Sequence, residues 1–303
     1  MVSTVMDWKF KALGHLIFSY IPFGTFIHYC FQRYITKTLP RNEASFMKSV
    51  TLGKKHIEAF QRYSNQSLGN AVFFEFGAGW DLLHQLVFYA FGIEHQIVID
   101  IHKLIRRELI NDTIMKFHKV EQNHLMRMPE KLIRSEMAKD LKIHYGIEYR
   151  APCDVRKTGL SDSVIDCITS TSTIEHIPYD DIKAILFECR RILKSCGLLS
   201  IVIDYQDHYS EVDKKISVYN FLQYSGRIWA IFNPISHYQN RLRHRDYITL
   251  FKKTGFDVLE ENIIEGTPDD LEILSQLSLD KRFKNYYLSE LAVRSAHIIL
   301  RKR

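Results

Sequence analysis

The chain has 303 residues, is 46% apolar and carries a net charge of +6. That length buries a full core as one large domain with appendages, rather than as two equal domains. Five scattered cysteines, odd in number and without a C-x-x-C pair, exclude a disulfide framework and a cysteine-based zinc site, and they point to a reducing cytoplasm.

The positive charge is concentrated at the start. Residues 1–60 hold eight Lys/Arg against three Asp/Glu, so +5 of the net charge lies there, which suits an anionic membrane, a nucleic acid or a neighbouring subunit. Between Lys11 and Arg33 no charged residue occurs, and the stretch is long enough for a membrane span. Pro22-Phe23-Gly24 breaks it, His15 and His28 lie inside it, and no small-residue cleavage site follows it. Two short amphipathic helices packed on the core are expected here. The alternative is an interfacial helix pair over residues 8–33, anchored by Trp8, Lys9, Lys11 and Arg33. A further helix is predicted over Glu43 to Tyr63, and Ser64 to Ser67 form a polar link.

Val72 to Phe76 is an apolar run holding the carboxylate of Glu75. Gly77-Ala78-Gly79 follow, then Leu82, Leu83, Leu86 and Val87 at helical spacing. This is a buried strand, a tight turn and a helix start, the unit that turns backbone N–H groups and a positive dipole end toward a ligand. Gln96 to Asp100 reads as a second strand closed by an acid. Asp100 lies 21 residues beyond Gly79, the spacing at which an acid holds a ribose hydroxyl pair. The glycine turn and Asp100 fit a dinucleotide and an adenosyl ligand equally well.

Residues 103–146 are helical in texture with a break at Met128-Pro129, and two or three helices covering a sheet face are expected. A strand from Ile147 is predicted to end at Asp154. Ser163 to Ser170 is the fourth strand and exits through Thr171 to Pro178. A helix from Asp180 to Leu193, the turn Ser195-Cys196-Gly197 and a fifth strand, Leu198 to Asp204, follow. Strands alternating with helices predict a parallel sheet with its ligand at the carboxyl ends of the strands.

Taken together, Glu75-x-Gly77-x-Gly79, Asp100, Asp154, the Glu175-His176-Ile177-Pro178 exit and Arg191 to Gly197 resemble the class I S-adenosylmethionine-dependent methyltransferases, most closely the small-molecule, type-11-like branch. The resemblance covers about residues 70–205 and, more loosely, the tail. It implies a Rossmann-like, doubly wound α/β fold: a mostly parallel seven-stranded sheet with an antiparallel last strand, here with N-terminal helices and a helical lid. It further implies S-adenosylmethionine as cofactor. Gly77, Ala78 and Gly79 would approach the methionine moiety with Glu75 beneath them, and Asp100 and Ile101 would meet the ribose. Asp154 and Val155 would meet the adenine, and Thr171 would complete the wall. The chain departs from the family at Ser195-Cys196-Gly197, where many members have Pro-Gly. NAD is the competing cofactor, but a dinucleotide fingerprint wants a third glycine where this chain has Leu82, and Glu75 would repel a pyrophosphate. The expected organisation is a helical segment over 1–70 and a methyltransferase domain over 71–303, with a lid insertion at about 205–245.

The lid stretch is rich in aromatic and polar groups, which is also consistent with an extra packed layer. Arg241, Arg243 and Arg245 alternate, so in an extended segment they would point one way, toward an anionic substrate; a solvated basic face is the other reading. Asp246 is expected to cap a helix from Tyr247 to Lys253, and strands are expected over Phe256 to Glu261 and Ala292 to Leu300. His176, His208 and Tyr205 are the candidate bases should the acceptor have to lose a proton, although a capping or packing role is the plainer reading of each histidine. Asp204, Asp207 and His208 could form a metal site of the catechol-methyltransferase kind, but their spacing alone is poor evidence and no metal is expected. The expected acceptor is small or carrier-linked, with an anionic sugar or lipid precursor as one form. A nucleic-acid acceptor lacks the Asn/Asp-Pro-Pro-aromatic tetrad used on base amino groups, and a non-catalytic binding protein of the same fold is the third reading.

Overall fold

A computed structural model of the chain describes residues 7–20, 24–120 and 125–303. The expected break at Pro22-Phe23 lies outside the described residues. Seven strands, β1 (Val72–Phe76), β2 (His95–Ile99), β3 (Ile147–Arg150), β4 (Ile165–Thr171), β5 (Leu193–Asp204), β6 (Phe256–Ile264) and β7 (Ser295–Lys302), form one sheet in the order β3-β2-β1-β4-β5-β7-β6. β1, β2, β3, β4 and β5 pair in parallel, and β7 runs antiparallel to both β5 and β6. The strand order reverses between β1 and β4, so the carboxyl ends of these strands open a crevice there. β4 is buried along its whole length, the polar Asp166, Thr169, Ser170 and Thr171 included, because both sheet faces are covered.

The helices are α1 (Trp8–Tyr20), α2 (Gly24–Cys30), α3 (Glu43–Tyr63), α4 (Leu83–Ala90), α5 (Arg107–Lys116), α6 (Met137–Tyr145), α7 (Tyr179–Ile192), α8 (Gly226–Phe232), α9 (His244–Lys253), α10 (Pro268–Gln276) and α11 (Leu288–Ala292). α3 starts where predicted because the Asn42 side chain accepts from the Ser45 amide (2.8 Å). Its stripe of Phe46, Val50, Ile57 and Phe60 is buried; Ile57 and Phe60 pack with Phe73 of β1, Phe88 of α4 and Leu198 of β5. α7 and α9 cover the opposite face, where Ile182, Ile185, Leu186, Tyr247, Leu250 and Phe251 meet Phe74, Ile168 and Ile201.

Three expectations are corrected. The third strand ends at Arg150, and the acid predicted to close it, Asp154, lies beyond it in an irregular stretch that begins with a cis Ala151-Pro152 bond. Asp246 is the third residue of α9 rather than its cap, and its carboxylate accepts from the Arg243 amide (2.8 Å). Trp8, expected as an interfacial anchor, is buried (4% exposed) against Tyr209, Tyr224 and Phe232, with its amide on Asp213. The Lys11 ammonium lies over the Tyr209 ring. α1 thus docks on the 205–245 segment, which forms a core of its own from Tyr209, Tyr219, Phe221, Leu222 and Trp229 together with Leu274 and Leu291. Among the described residues no helix is long and apolar enough to cross a membrane.

Candidate active site

A cavity of about 750 Å³ opens at the crevice between β1 and β4. Gly77, Ala78, Gly79, Asp100, Ile101, Asp154, Val155 and Thr171 all line it. They come from the exits of four different strands, so each was placed by its own strand-end geometry and the parallel sheet brought them together.

The glycine turn is tight for a physical reason. Gly77 and Gly79 have φ of +84° and +65°, a region that L side chains rarely adopt. A Cβ on Gly77 would lie 2.3 Å from Thr173 Oγ1, whereas one on Gly79 would meet nothing within 4 Å. The open space at Gly79 is the cavity itself. Leu82, where a dinucleotide fingerprint would have its third glycine, is fully buried and left-handed (φ +50°) as it leads into α4.

Asp100 is 8% exposed, and one carboxylate oxygen accepts from the His102 amide (3.0 Å). Burial raises its pKa, opposed by the amides of His102, Ala78 and Gly79. Asp154 is gripped by Arg156 through Nε (3.0 Å) and Nη2 (2.7 Å), which holds its carboxyl below the usual range and keeps it ionised as an acceptor. Glu75 is not on the cavity wall. It sits beneath the turn, buried, where it accepts from Gln85 Nε2 (2.6 Å), and its other oxygen lies 3.4 Å from His84 Nδ1. His84 does line the cavity, and its Nε2 has no hydrogen-bond partner.

Of the three candidate bases, only His176 lines the cavity. Its Nδ1 donates to the Tyr238 carbonyl (2.8 Å), which fixes the proton there and leaves the Nε2 lone pair free. Burial, aided by His208, lowers its pKa to about 4. His208 lies beside it, ring centroids 4.9 Å apart and the rings tilted by 57°. Tyr205 is corrected: its hydroxyl, 3.0 Å from His244 Nδ1, is buried away from the cavity, and burial pushes its pKa well up, so it cannot serve as the base.

The arginine series is also corrected. Arg243 is fully buried and donates to the carbonyls of Tyr205 (2.6 Å), Leu291 (2.7 Å) and Val293 (2.8 Å). Arg241 is buried with its Nη1 on the Phe221 (2.9 Å) and Tyr224 carbonyls, and Arg245 pairs with Glu290 (3.1 Å) over the Tyr286 ring. None of the three lines the cavity. Sequence reasoning missed Arg41, Ser49 and Leu52, which α3 and its approach bring to the rim, and Ile235 and Tyr238 from the lid segment. Arg41 is paired with Asp81 (2.6 Å), itself on the wall. Only Asp81, next to the glycine turn, carried a local signal.

The strand order, the antiparallel β7 and the crevice at the reversal give the Rossmann-like fold that class I S-adenosylmethionine-dependent methyltransferases share. Residues 127–201 match the family model described as a methyltransferase domain, a segment that includes Asp154, β4 and the Glu175-His176 exit but not the glycine turn. A solved protein of Pyrococcus horikoshii OT3 superposes with a TM-score of 0.50 at 12% identity, over 90% of this chain and 98% of its own. A SAM-dependent methyltransferase from Methanosarcina mazei gives 0.48 at 14% identity, over 80% and 96%. The geranyl diphosphate C-methyltransferase of Streptomyces coelicolor A3(2) gives 0.47 at 14% identity, over 88% and 85%. At such identities the likeness to the first of these bears on the fold alone. No curated protein matches the chain by sequence.

Proposed function

We propose that this chain transfers the methyl group of S-adenosylmethionine to a small or carrier-linked acceptor. The observation that carries this reading is the convergence of Gly77–Gly79, Asp100, Asp154 and Val155 on one cavity at the reversal of strand order. In this reading the open backbone at Gly79 receives the methionine portion, the Asp100 carboxylate holds the ribose hydroxyls, and Asp154 with the Val155 amide meets the adenine. Transfer from a sulfonium is a single in-line displacement, so the residues' main work is orientation and exclusion of water.

Burial of Arg241 and Arg243 favours a small acceptor over a nucleic acid. The basic stretch that would have followed a phosphate backbone is spent on internal carbonyls. The lid contributes Ile235 and Tyr238 to the acceptor end of the cavity. An Nε2 of such low basicity in His176 makes a weak general base near neutral pH, so acceptors that need no strong base suit it best.

Calorimetry with S-adenosylhomocysteine and with NAD tests the reading. The first should bind one per chain and the second should not. Asp100→Ala should weaken S-adenosylhomocysteine at least about tenfold, because a charge-assisted bond to each hydroxyl is worth about 1.5–3 kcal/mol. Unchanged affinity in that variant would remove the ribose assignment.

A further inference from the structure

Just beyond the cavity wall, Glu175, His176 and His208 each bring one potential ligand atom to within 4.8 Å of the other two. The sequence pointed to a different set. Asp207 is instead engaged with the Tyr209 amide (2.9 Å) and Asn220 (3.1 Å), so it belongs to the frame of the lid.

Three features of the cluster go beyond proximity. Glu175 is buried (2% exposed); its Oε1 accepts one long bond from the Asp204 amide (3.3 Å), and its Oε2 has no partner. A buried carboxyl with an unused oxygen is costly unless a donor or a cation completes it. His176 is oriented by donation of Nδ1–H to the Tyr238 carbonyl, the outer-partner arrangement that metal-ligating histidines use to present the opposite nitrogen. His208 stands beside it with a second carboxylate in reach, Asp204 Oδ2 lying 3.8 Å from His208 Nε2.

Ligand atoms around a tetrahedral first-row ion lie about 3.3 Å apart, so side-chain shifts of about 1 Å would close this set. Two imidazoles and one carboxylate suit zinc, cobalt(II), iron(II) or manganese(II) rather than calcium or magnesium, which take oxygen. His176 reaches the cavity wall, so three protein ligands would leave a position facing the cavity, the pattern of a working site rather than a closed structural one.

We propose that Glu175, His176 and His208 form a mononuclear site for a first-row divalent cation at the acceptor end of the cavity. A further consequence, which rests on the methyltransferase reading, is that the open position binds the acceptor through an oxygen and lowers its pKa. The acceptor's hydroxyl proton would pass to solvent, and the metal-held oxygen would then form its bond to the methyl carbon as the carbon–sulfur bond breaks and S-adenosylhomocysteine leaves.

The test uses the full chain stripped with a chelator, without S-adenosylmethionine, so that its outcome is independent of cofactor binding. Cobalt(II) is titrated while its visible ligand-field bands are followed, and zinc(II) is titrated by calorimetry. One cation per chain, with the intense bands of four- or five-coordinate cobalt, is expected. Glu175→Gln and His208→Ala should each weaken binding at least about tenfold, and His102→Ala, which removes an imidazole elsewhere on the wall, should leave it intact. Circular dichroism shows whether each variant is folded. Were both cluster variants unfolded, the wild-type spectrum would decide, since weak six-coordinate bands like those of the aquo ion overturn the proposal. Affinity unchanged in either folded variant overturns it as well. Failure of the methyltransferase reading would show separately, as absence of S-adenosylhomocysteine binding.

Discussion

Adding one methyl group at Gly79 separates the fold from the site. At φ +65° an alanine is strained by about 1–2 kcal/mol, and since nothing lies within 4 Å of the new Cβ there is no clash to add. For a chain of this size that is a fall in Tm of about 2–3 °C. The same methyl, however, projects into the space where a ligand would approach the backbone. Pushing the ligand away by about 1 Å forfeits a hydrogen bond of about 1 kcal/mol and several dispersion contacts of about 0.1–0.2 kcal/mol each, so S-adenosylhomocysteine should bind at least about tenfold more weakly. Gly77→Ala has the opposite signature. Its Cβ would lie 2.3, 2.6 and 2.9 Å from three side-chain atoms of Thr173, so the turn or β4 exit must shift. Overpacking of that kind, added to the φ strain, costs about 2–5 kcal/mol. Melting without ligand and calorimetry with S-adenosylhomocysteine read the two effects. Gly79→Ala with unchanged affinity would refute the placement of a ligand against this backbone.

Two further outcomes follow from residues away from the turn. Arg243→Met should cost at least about 3 kcal/mol, because three buried carbonyls lose their donor at about 1–3 kcal/mol each, while ligand affinity of the folded fraction stays the same. Lost affinity at an unchanged Tm would return Arg243 to the substrate site. Glu188 accepts from Arg191 (2.7 and 2.8 Å) and from Thr158 (2.6 and 2.9 Å), the Arg191 pairing foremost, which holds its pKa at about 2 against an ordinary 4.5. A depressed carboxyl stabilises the fold above its unfolded pKa, and that contribution is lost as pH falls from about 4.5 to about 2. The full difference corresponds to ~3 kcal/mol, and solvent screening at the 36%-exposed Arg191 leaves about 1–2 kcal/mol. Glu188→Gln should therefore be less stable than the parent by that amount at pH 7 and equal to it near pH 2, by denaturant melts at each pH. A gap that persists in acid would show that the pairing is not its source.

The half of the cavity proposed to hold the cofactor was legible because each of its residues is set by local chain geometry. A buried strand ending in a turn fixes where Gly77, Gly79 and Asp100 must lie, and the sheet order does the rest. Asp154 could be found in the same way even though β3 stops earlier, since it still lies on the cavity wall at the same edge of the sheet. The acceptor half was not legible, because its determinants are distant in sequence. Arg243 alternates with its neighbours like a surface stripe, yet its partners lie 38, 48 and 50 residues away. Trp8 has the composition of a membrane anchor, yet its amide bonds a residue 205 positions on. α10 and α11 went unread; at five residues α11 is too short to show a period, and α10 starts on a Thr267 capping box with Pro268 in its first turn, a signal that was present.

The 205–245 segment also proves to be fixed to the sheet rather than hinged over it. Asn240 donates its amide to the Glu175 carbonyl (2.7 Å) and its side-chain nitrogen to the carbonyls of Ile174 (2.8 Å) and Ile177 (2.9 Å), and its oxygen accepts from Tyr247 (3.0 Å). One residue earlier, the Gln239 side chain donates to the Gln206 carbonyl and accepts from the His208 amide. These bonds tie the lid to the exits of β4 and β5, which hold Glu175, His176 and His208. Lifting it would break several buried hydrogen bonds at about 1 kcal/mol each and leave their partners unpaired. This end of the cavity, where the acceptor is proposed to lie, is therefore a wall built together with the histidine pair, and Tyr238, which orients His176 from that wall, couples the shape of the cavity to the direction of the imidazole.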